Sequence, residues 1–151
     1  MKLKDFDFRI WSVKKEKYLD DLYNNIISLS SDKSIKGYNR NYKILAIEFS
    51  PYDSIPLMND NEECFEIELF TGLCDKNGNK IYEGDILYYF KDCSEGEVFK
   101  YQVLFKEGAF YLFESYDGFV DDEDLIAEFD LKELQVMGNI HENKELLNVR
   151  L

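Results

Sequence analysis

The sequence predicts a mainly β fold, with short strands in a strongly twisted barrel or a pair of sheets and one or two short helices. Three observations predict this fold class. Several segments alternate polar and apolar residues, which is the period of a half-buried strand. Turn-forming residues recur at short intervals in the second half of the chain. Hydrophobic residues make up 45% of the 151 residues, enough for one sizeable core without staples.

The first elements follow from this alternation. The segment from Asp5 to Ile10 alternates strictly and predicts a strand, which a solvated turn at Lys14–Lys17 follows. Apolar residues from Leu19 to Ile27 have helical spacing, but their β-branched and aromatic content leaves a strand open. Further strands are predicted at Tyr42–Phe49 and Phe65–Leu69, separated by a connection that Pro51 and Pro56 bracket and that continues to Asn61.

The second half is organised by tight turns. Asp75–Gly78 and Glu83–Asp85 offer Asp, Asn and Gly where hairpins need a positive φ. We expect strands at Ile86–Phe90, Val98–Phe105, Ala109–Phe113 and Gln135–Ile140, a helical turn within Leu125–Leu134 and a short helix at Glu142–Leu147. Backbone conformation should explain Gly72, Gly78, Gly84 and Gly138. The expected core comprises Phe8, Ile10, Ile67, Leu69, Ile86, Val103, Phe105, Val136 and Ile140.

Charge is segregated along the chain. The net charge is −13, which disfavours direct binding of nucleic acid through a basic groove. Residues 1–43 carry a net charge of +4, whereas residues 44–151 carry −17. The most acidic stretch, Glu114–Asp130, is interpreted as a solvated loop and helix start. Alternatively, it is a surface that docks a basic partner or the chain's own basic arm, residues 1–43. Its candidate interaction surface is Asp121, Asp122, Glu123 and Asp124.

Few residues have the pattern of a catalytic, metal or cofactor site. Cys64, Cys74 and Cys93 lie far apart and His141 is the single histidine, so neither a zinc module nor a disulfide framework is predicted. The one carboxylate constellation, Asp75 with Glu83 and Asp85, is interpreted as turn chemistry rather than a metal or catalytic site. His141 is interpreted as a capping or surface residue. No apolar run is long enough to span a membrane, and no cofactor is expected.

Three sequence strings then resemble one family. FRIWSVKKEKY near the start, ELFTGLCDKNGNKIYEGDIL in the middle and LQVMGNIHENKELL at the end are similar, in that order, to motifs of the YopX family of bacterial phage and prophage proteins. The resemblance implies a predominantly β fold with an SH3-barrel-like core and no established activity. Ser12 and His141 depart from the family pattern. The positions that carry the motif are Thr71, Gly72, Asp75, Asn77, Gly78, Ile81, Tyr82, Glu83, Gly84, Asp85, Gly138 and Asn139.

These observations lead to one expected organisation and three functional hypotheses. We expect a single domain over 1–151, with a variable N-terminal β part at 1–64 and a turn-rich barrel core at 65–151. The first hypothesis is a non-catalytic phage or prophage accessory protein of the bacterial cytoplasm, which acts by protein–protein contact and forms homo-oligomers. The second is an acidic decoy that sequesters a host nucleic-acid-binding protein. The third is a metal-dependent enzyme that uses the turn carboxylates.

Overall fold

The structure, a computed structural model, describes residues 2, 5–19, 26–30, 44–50, 53–56, 65–90, 98–116 and 119–147. It describes side chains in 2, 5–19, 65–90, 98–114 and 123–147. The chain divides into two compact units. The first combines Met1–Phe8 with Glu68–Leu151, and the second is Arg9–Ile67. This division falls close to the predicted boundary between the N-terminal part and the turn-rich part.

The first unit is built on a five-stranded antiparallel sheet. Its strands are β8 (Asp85–Tyr89), β9 (Phe99–Lys106), β10 (Ala109–Tyr116), β11 (Phe119–Leu125) and β12 (Leu134–Asn139). They lie in the order β11-β10-β9-β8-β12. The β9–β10 connection is a two-residue turn in which Glu107 and Gly108 both have positive φ, 52° and 81°. That combination matches the right-handed twist of the flanking strands, and it confirms the predicted hairpin.

Strand β6 (Phe65–Cys74), from Glu68 onward, strand β7 (Lys80–Tyr82) and two short helical turns also belong to the described part of this unit. β6 pairs with β7 through a register shift between Phe70 and Cys74. The helices are single 3-10 turns, η1 (Ile126–Glu128) and η2 (Lys144–Leu147). The core lies on one face of the large sheet and consists of Ile81, Leu87, Tyr101, Val103, Leu112, Ile126 and Leu134.

The second unit is also made of strands. β1 (Phe8–Ser12) pairs with β2 (Lys17–Tyr18) across the predicted turn, and Trp11 packs edge-on against Tyr18 at a centroid distance of 5.0 Å. A separate antiparallel sheet has the order β3-β4-β5, formed by β3 (Ile26–Ser30), β4 (Ile44–Ser50) and β5 (Asp53–Pro56). The helical alternative is therefore wrong for residues 26–30, where β-branched residues favour the strand. The connection predicted after Pro51 contains β5.

The predicted mainly β class is confirmed, whereas the SH3-like detail and the single domain stay predictions. The predicted loop and helix start are wrong for Asp121–Asp124, because these residues lie in strand β11. Ile10, Ile86 and Val103 are buried as expected. Phe105 is 41% exposed, because it lies at the end of its hairpin, where ring contact with Phe110 covers only part of it. Within the part of the chain that the structure describes, no helix is long and apolar enough to cross a membrane.

Candidate functional site

The first motif segment is the β6–β7 hairpin, and its centre is the buried carboxylate of Asp75. Oδ1 accepts the backbone N–H groups of Asn77 and Asn79 at 2.8 and 2.9 Å. Oδ2 accepts the Asn79 side-chain amide at 3.1 Å and the Val136 backbone N–H at 3.0 Å. The Lys76 N–H also donates to the Leu134 carbonyl. Asp75 therefore fixes the hairpin and fastens it to β12, the edge strand beside it.

These four hydrogen bonds set the protonation of Asp75. Burial alone would raise the pKa of the carboxyl group, but the N–H donors of Val136, Asn79 and Asn77 and the Asn79 amide outweigh it and lower the pKa below its ordinary value. The carboxylate is thus ionised, with both of its oxygens engaged. The predicted role of Asp75 as a turn residue therefore accounts for the hydrogen bonds of its carboxylate.

The Thr71–Gly72 pair forms the bulge in β6. Thr71 Oγ1 donates to the Ile81 carbonyl at 2.8 Å and accepts the Leu73 N–H at 3.1 Å. Gly72 has a φ of 85°, as Gly78 does at 84° in the hairpin turn. A side chain rarely adopts these conformations, so backbone geometry explains both glycines as predicted.

The second motif segment is the tight turn Glu83–Asp85. Asp85 is 1% exposed and its Oδ2 accepts the Tyr82 backbone N–H at 2.8 Å. Gly84 has a φ of 79°, donates its N–H to the Val103 carbonyl and accepts the Ile140 N–H. A Cβ on Gly84 would lie 2.5 Å from Glu68 Oε1. Gly84 is therefore required both by its backbone conformation and by the close approach of a carboxylate.

That carboxylate belongs to a buried pair that the sequence did not reveal. Glu68 Oε1 lies 2.9 Å from His141 Nε2, and the two side chains are 5% and 13% exposed. His141 is thus neither a capping nor a surface residue, which corrects the sequence interpretation. Glu68 is 4% exposed, although its alternation with Ile67 and Leu69 predicted a solvent-facing side chain. The predicted core residues Ile67 and Leu69 are only half-buried.

The third motif segment, Gly138–Asn143, closes around this pair. Asn139 Oδ1 accepts the N–H groups of His141 and Glu142 at 3.0 Å each, and its amide donates to Glu142 Oε2 at 2.9 Å. A Cβ on Gly138 would lie 2.4 Å from Asn143 Oδ1. Glycine is therefore required at position 138 because the Asn143 side chain lies so close to it, and not because of a positive φ. Together, Asn139 and Gly138 hold the segment that delivers His141 to Glu68.

The N-terminus is fastened to the same part of the unit by Asp7. Its Oδ2 accepts hydrogen bonds from Lys80 Nζ at 2.6 Å and the Tyr82 hydroxyl at 2.7 Å, and its carbonyl accepts the Phe70 N–H. Burial alone would raise the pKa of Asp7, but hydrogen bonds from Lys80, Tyr82 and the Phe8 N–H lower it overall. Tyr82 of the motif is therefore an anchor for the N-terminus.

The candidate acidic surface lies apart from these turns, on β11. Glu123 forms an ion pair with Lys106, and Glu123 and Asp124 are half-buried. The side chains of Asp121 and Asp122 lie outside the described residues. In the described sheet, β11 pairs with β10 alone, so it is an edge strand.

Potential metal ligands do not cluster among the described residues. Among them, no group of three or more His, Cys, Asp or Glu residues could hold a metal ion. Cys74 is a free, exposed thiol, whereas Cys64 and Cys93 lie outside the described residues. The structure brings together Glu68, Gly84, Asn139 and His141 but assigns Asp75 and Asp85 to separate turns. Asp75 and Asp85 each accept a backbone N–H group within their own turn, which agrees with the interpretation of these carboxylates as turn chemistry.

Comparison with known proteins gives one consistent result. A family model described as YopX protein matches residues 7–148. Protein EF1440 from Enterococcus faecalis, whose crystal structure is known, is 28% identical in sequence to this chain. The two structures superpose with a TM-score of 0.54 over 94% of this chain and 97% of EF1440. Protein yopX from Bacillus subtilis has the same fold at 18% identity, with a TM-score of 0.56 and coverage of 95% and 97%. No curated protein is significantly similar to this chain.

Proposed function

We propose that this chain, which belongs to the YopX family, whose function is not established, is a non-catalytic accessory protein that acts by protein–protein contact. The proposal includes a phage or prophage origin and a place of action in the bacterial cytoplasm. The solved relatives come from Enterococcus faecalis and Bacillus subtilis, which supports a bacterial host. The engagement of the motif residues supports it. Thr71, Asp75, Asp85 and Asn139 each form at least one hydrogen bond to the backbone of the unit.

The observation that carries the proposal is the acidic edge strand β11. An edge strand presents a row of unpaired N–H and carbonyl groups, which is a template for another strand. Four successive acids, Asp121–Asp124, occupy this edge. Like charges directly opposite each other destabilise a strand pair, so β11 of one copy repels β11 of another. The complementary partner is an extended basic segment.

A basic segment is present in the chain itself. Residues 1–43 carry ten Lys and Arg against six Asp and Glu, so a second copy offers a region of opposite charge. We therefore expect head-to-tail self-association, in which β11 of one copy meets the basic arm of the next. Exposed ion pairs contribute only about 0–1 kcal/mol each, so several must act together.

The test is the oligomer distribution, measured by analytical ultracentrifugation from about 50 mM to 1 M salt. Screening is nearly complete at 1 M, where the Debye length is about 3 Å, so the oligomers should dissociate. Neutralising the β11 acids should have the same effect at low salt, through the changes Asp121→Asn, Asp122→Asn, Glu123→Gln and Asp124→Asn. The matched control neutralises four exposed acids outside the acidic stretch, through Glu66→Gln, Glu107→Gln, Glu142→Gln and Glu145→Gln.

Two outcomes would contradict self-association through β11. One is an oligomer distribution unchanged by salt and by the β11 variant, and the other is an equal loss in the control variant. A monomer that captures nucleic-acid-binding proteins from a bacterial lysate at low salt would favour the decoy instead, since the net charge of −13 resembles that of a polyanion.

A further inference from the structure

The amine of Lys100 is buried without a hydrogen-bond acceptor. Lys100 lies on β9, directly opposite Tyr88 on β8. Among the described residues, no acceptor contacts its Nζ atom, which is inaccessible to solvent. The nearest favourable partner is the Tyr88 ring, whose centroid lies 5.4 Å from Nζ. An ammonium group buried in this way loses its hydration and recovers only part of it through the ring face.

The C-terminal turn η2 lies beside Tyr88, the residue directly opposite Lys100. The Tyr88 hydroxyl donates to the Leu146 carbonyl at 3.2 Å, and η2 packs against β9 and β12. The turn itself is held by the Leu146 N–H to the Asn143 carbonyl and the Asn143 N–H to the Asn139 carbonyl, both at 2.9 Å. A single 3-10 turn with so few bonds opens at a much lower free energy than the sheet beneath it.

We propose that η2 is a pH-sensitive latch over Lys100, which opens when the amine is protonated and closes more firmly when the amine is neutral. In the closed state, the ammonium form has neither water nor an acceptor. In the open state, the amine regains its hydration, so protonation favours opening. Burial lowers the pKa of Lys100 in the closed state, which is the direction that this linkage requires.

Among the residues whose side chains the structure describes, the other ionisable groups near Lys100 do not reverse this effect. On β8, burial raises the pKa of the Tyr88 phenol, so Tyr88 is neutral at neutral pH. β12 places the neutral Gln135 opposite Tyr88. Lys144 and Glu145 on η2 are both exposed. Lys76 lies over the neighbouring Phe90 ring at 4.1 Å and adds a second cation nearby.

On β10, register and alternation direct Glu114 away from Lys100. Gln102, two residues from Lys100 and on the same face, pairs with Phe113, so Glu114 points to the opposite face of the sheet.

The direction of the pH dependence follows from the proton count. At pH values between the lowered pKa of Lys100 in the closed state and its ordinary value of about 10.4, the open state binds more protons than the closed state. The opening constant therefore falls as the pH rises. Above about pH 10, ionisation of Tyr88 in the open state would favour opening again, so the measurement stops near pH 9.5.

The experiment is amide hydrogen exchange of Asn143 and Leu146 from about pH 7 to 9.5, corrected for intrinsic exchange, with Gly84 as the reference for global opening. Lys100→Met removes the buried amine and keeps the side-chain length. We expect at least ~5-fold less opening of η2 at pH 7, since an unsatisfied buried donor costs about 1–3 kcal/mol. The wild-type opening constant should approach that of the variant as the pH rises.

Three controls make the result decisive. Lys132→Met changes an exposed lysine and should leave opening unchanged. Tyr88→Phe removes the hydrogen bond to Leu146, so it should raise opening at every pH while the pH dependence remains. Should Lys100→Met fold poorly, Lys100→Gln, which is neutral at every pH, must abolish the pH dependence. Equal opening and equal pH dependence in wild type and the Lys100 variants would overturn the latch.

Discussion

Replacing Asp75 with alanine should be one of the most destabilising polar substitutions in the first unit. The change removes the acceptor of three backbone N–H groups, those of Asn77, Asn79 and Val136. Asn77 and Asn79 are exposed, so water can replace the carboxylate there, whereas Val136 lies at the junction with the core. Hydrogen bonds to a charged group contribute about 1.5–3 kcal/mol each. After allowing for water at the exposed pair, we expect a loss of about 3–4 kcal/mol.

The assay is urea unfolding monitored by far-ultraviolet circular dichroism, because Trp11, the single tryptophan, belongs to the second unit. With a denaturant slope of about 2 kcal/mol/M, the midpoint should fall by about 1.5–2 M. Asp75→Asn keeps one oxygen acceptor and should cost roughly half as much. The matched control is Asp130→Ala, because the Asp130 carboxylate is exposed and accepts the Lys132 N–H in a surface turn.

The pH dependence gives an independent check on the same reasoning. Since the folded-state pKa of Asp75 lies below its ordinary value, its stabilisation is fully present above about pH 4 and is lost as the pH falls through the folded-state pKa. The difference between wild type and Asp75→Asn should therefore shrink below pH 4. A midpoint shift no larger than that of Asp130→Ala, or a difference that persists unchanged to pH 2, would refute the reasoning.

Three further predictions concern the residues around the motif turns. Gly84→Ala should lower the free energy of unfolding by about 1–3 kcal/mol more than Gly78→Ala in thermal melts, because both have positive φ but only Gly84 approaches Glu68 closely; equal losses would contradict the close approach. Glu68→Gln and His141→Gln should give non-additive losses, with a coupling of about 1 kcal/mol or more in a double-mutant cycle, and additivity would show that the pair does not interact. Asp7→Asn should cost no more than about 1 kcal/mol at pH 7, since its ion pair with Lys80 is exposed, and the difference from wild type should fade below pH 4 in acid melts.

Local sequence patterns predicted the elements whose cause is local. Asp75 and Gly78 predict a hairpin because an Asp side chain can accept N–H groups two and four residues ahead, and glycine adopts a positive φ at little cost. The β9–β10 hairpin and the η1 turn follow similarly from their own residues. The helical spacing is misleading at Ile26–Ser30. This segment is a strand, because its β-branched residues favour extended backbone and it pairs antiparallel with β4.

The burial of charged side chains could not be predicted from local patterns. Alternation in β6 assigned Glu68 to solvent, yet its carboxylate is buried because His141, 73 residues later, supplies a partner. The only signal in the sequence was the presence of a single histidine, and that signal does not identify its partner. The exposed Phe105 is the converse case, since its apolar character says nothing about the end of a hairpin.

Residues close together in the chain were enough to predict the mainly β class, the positions of the turns and the segregation of charge. The three-dimensional arrangement revealed that the acidic run lies in an edge strand, that Glu68 and His141 form a pair, and that the Lys100 amine is buried beside the C-terminal turn. One cause underlies all three. Edge position, charge pairing and desolvation depend on which distant segments share the space around a residue, and local periodicity carries no information about those neighbours.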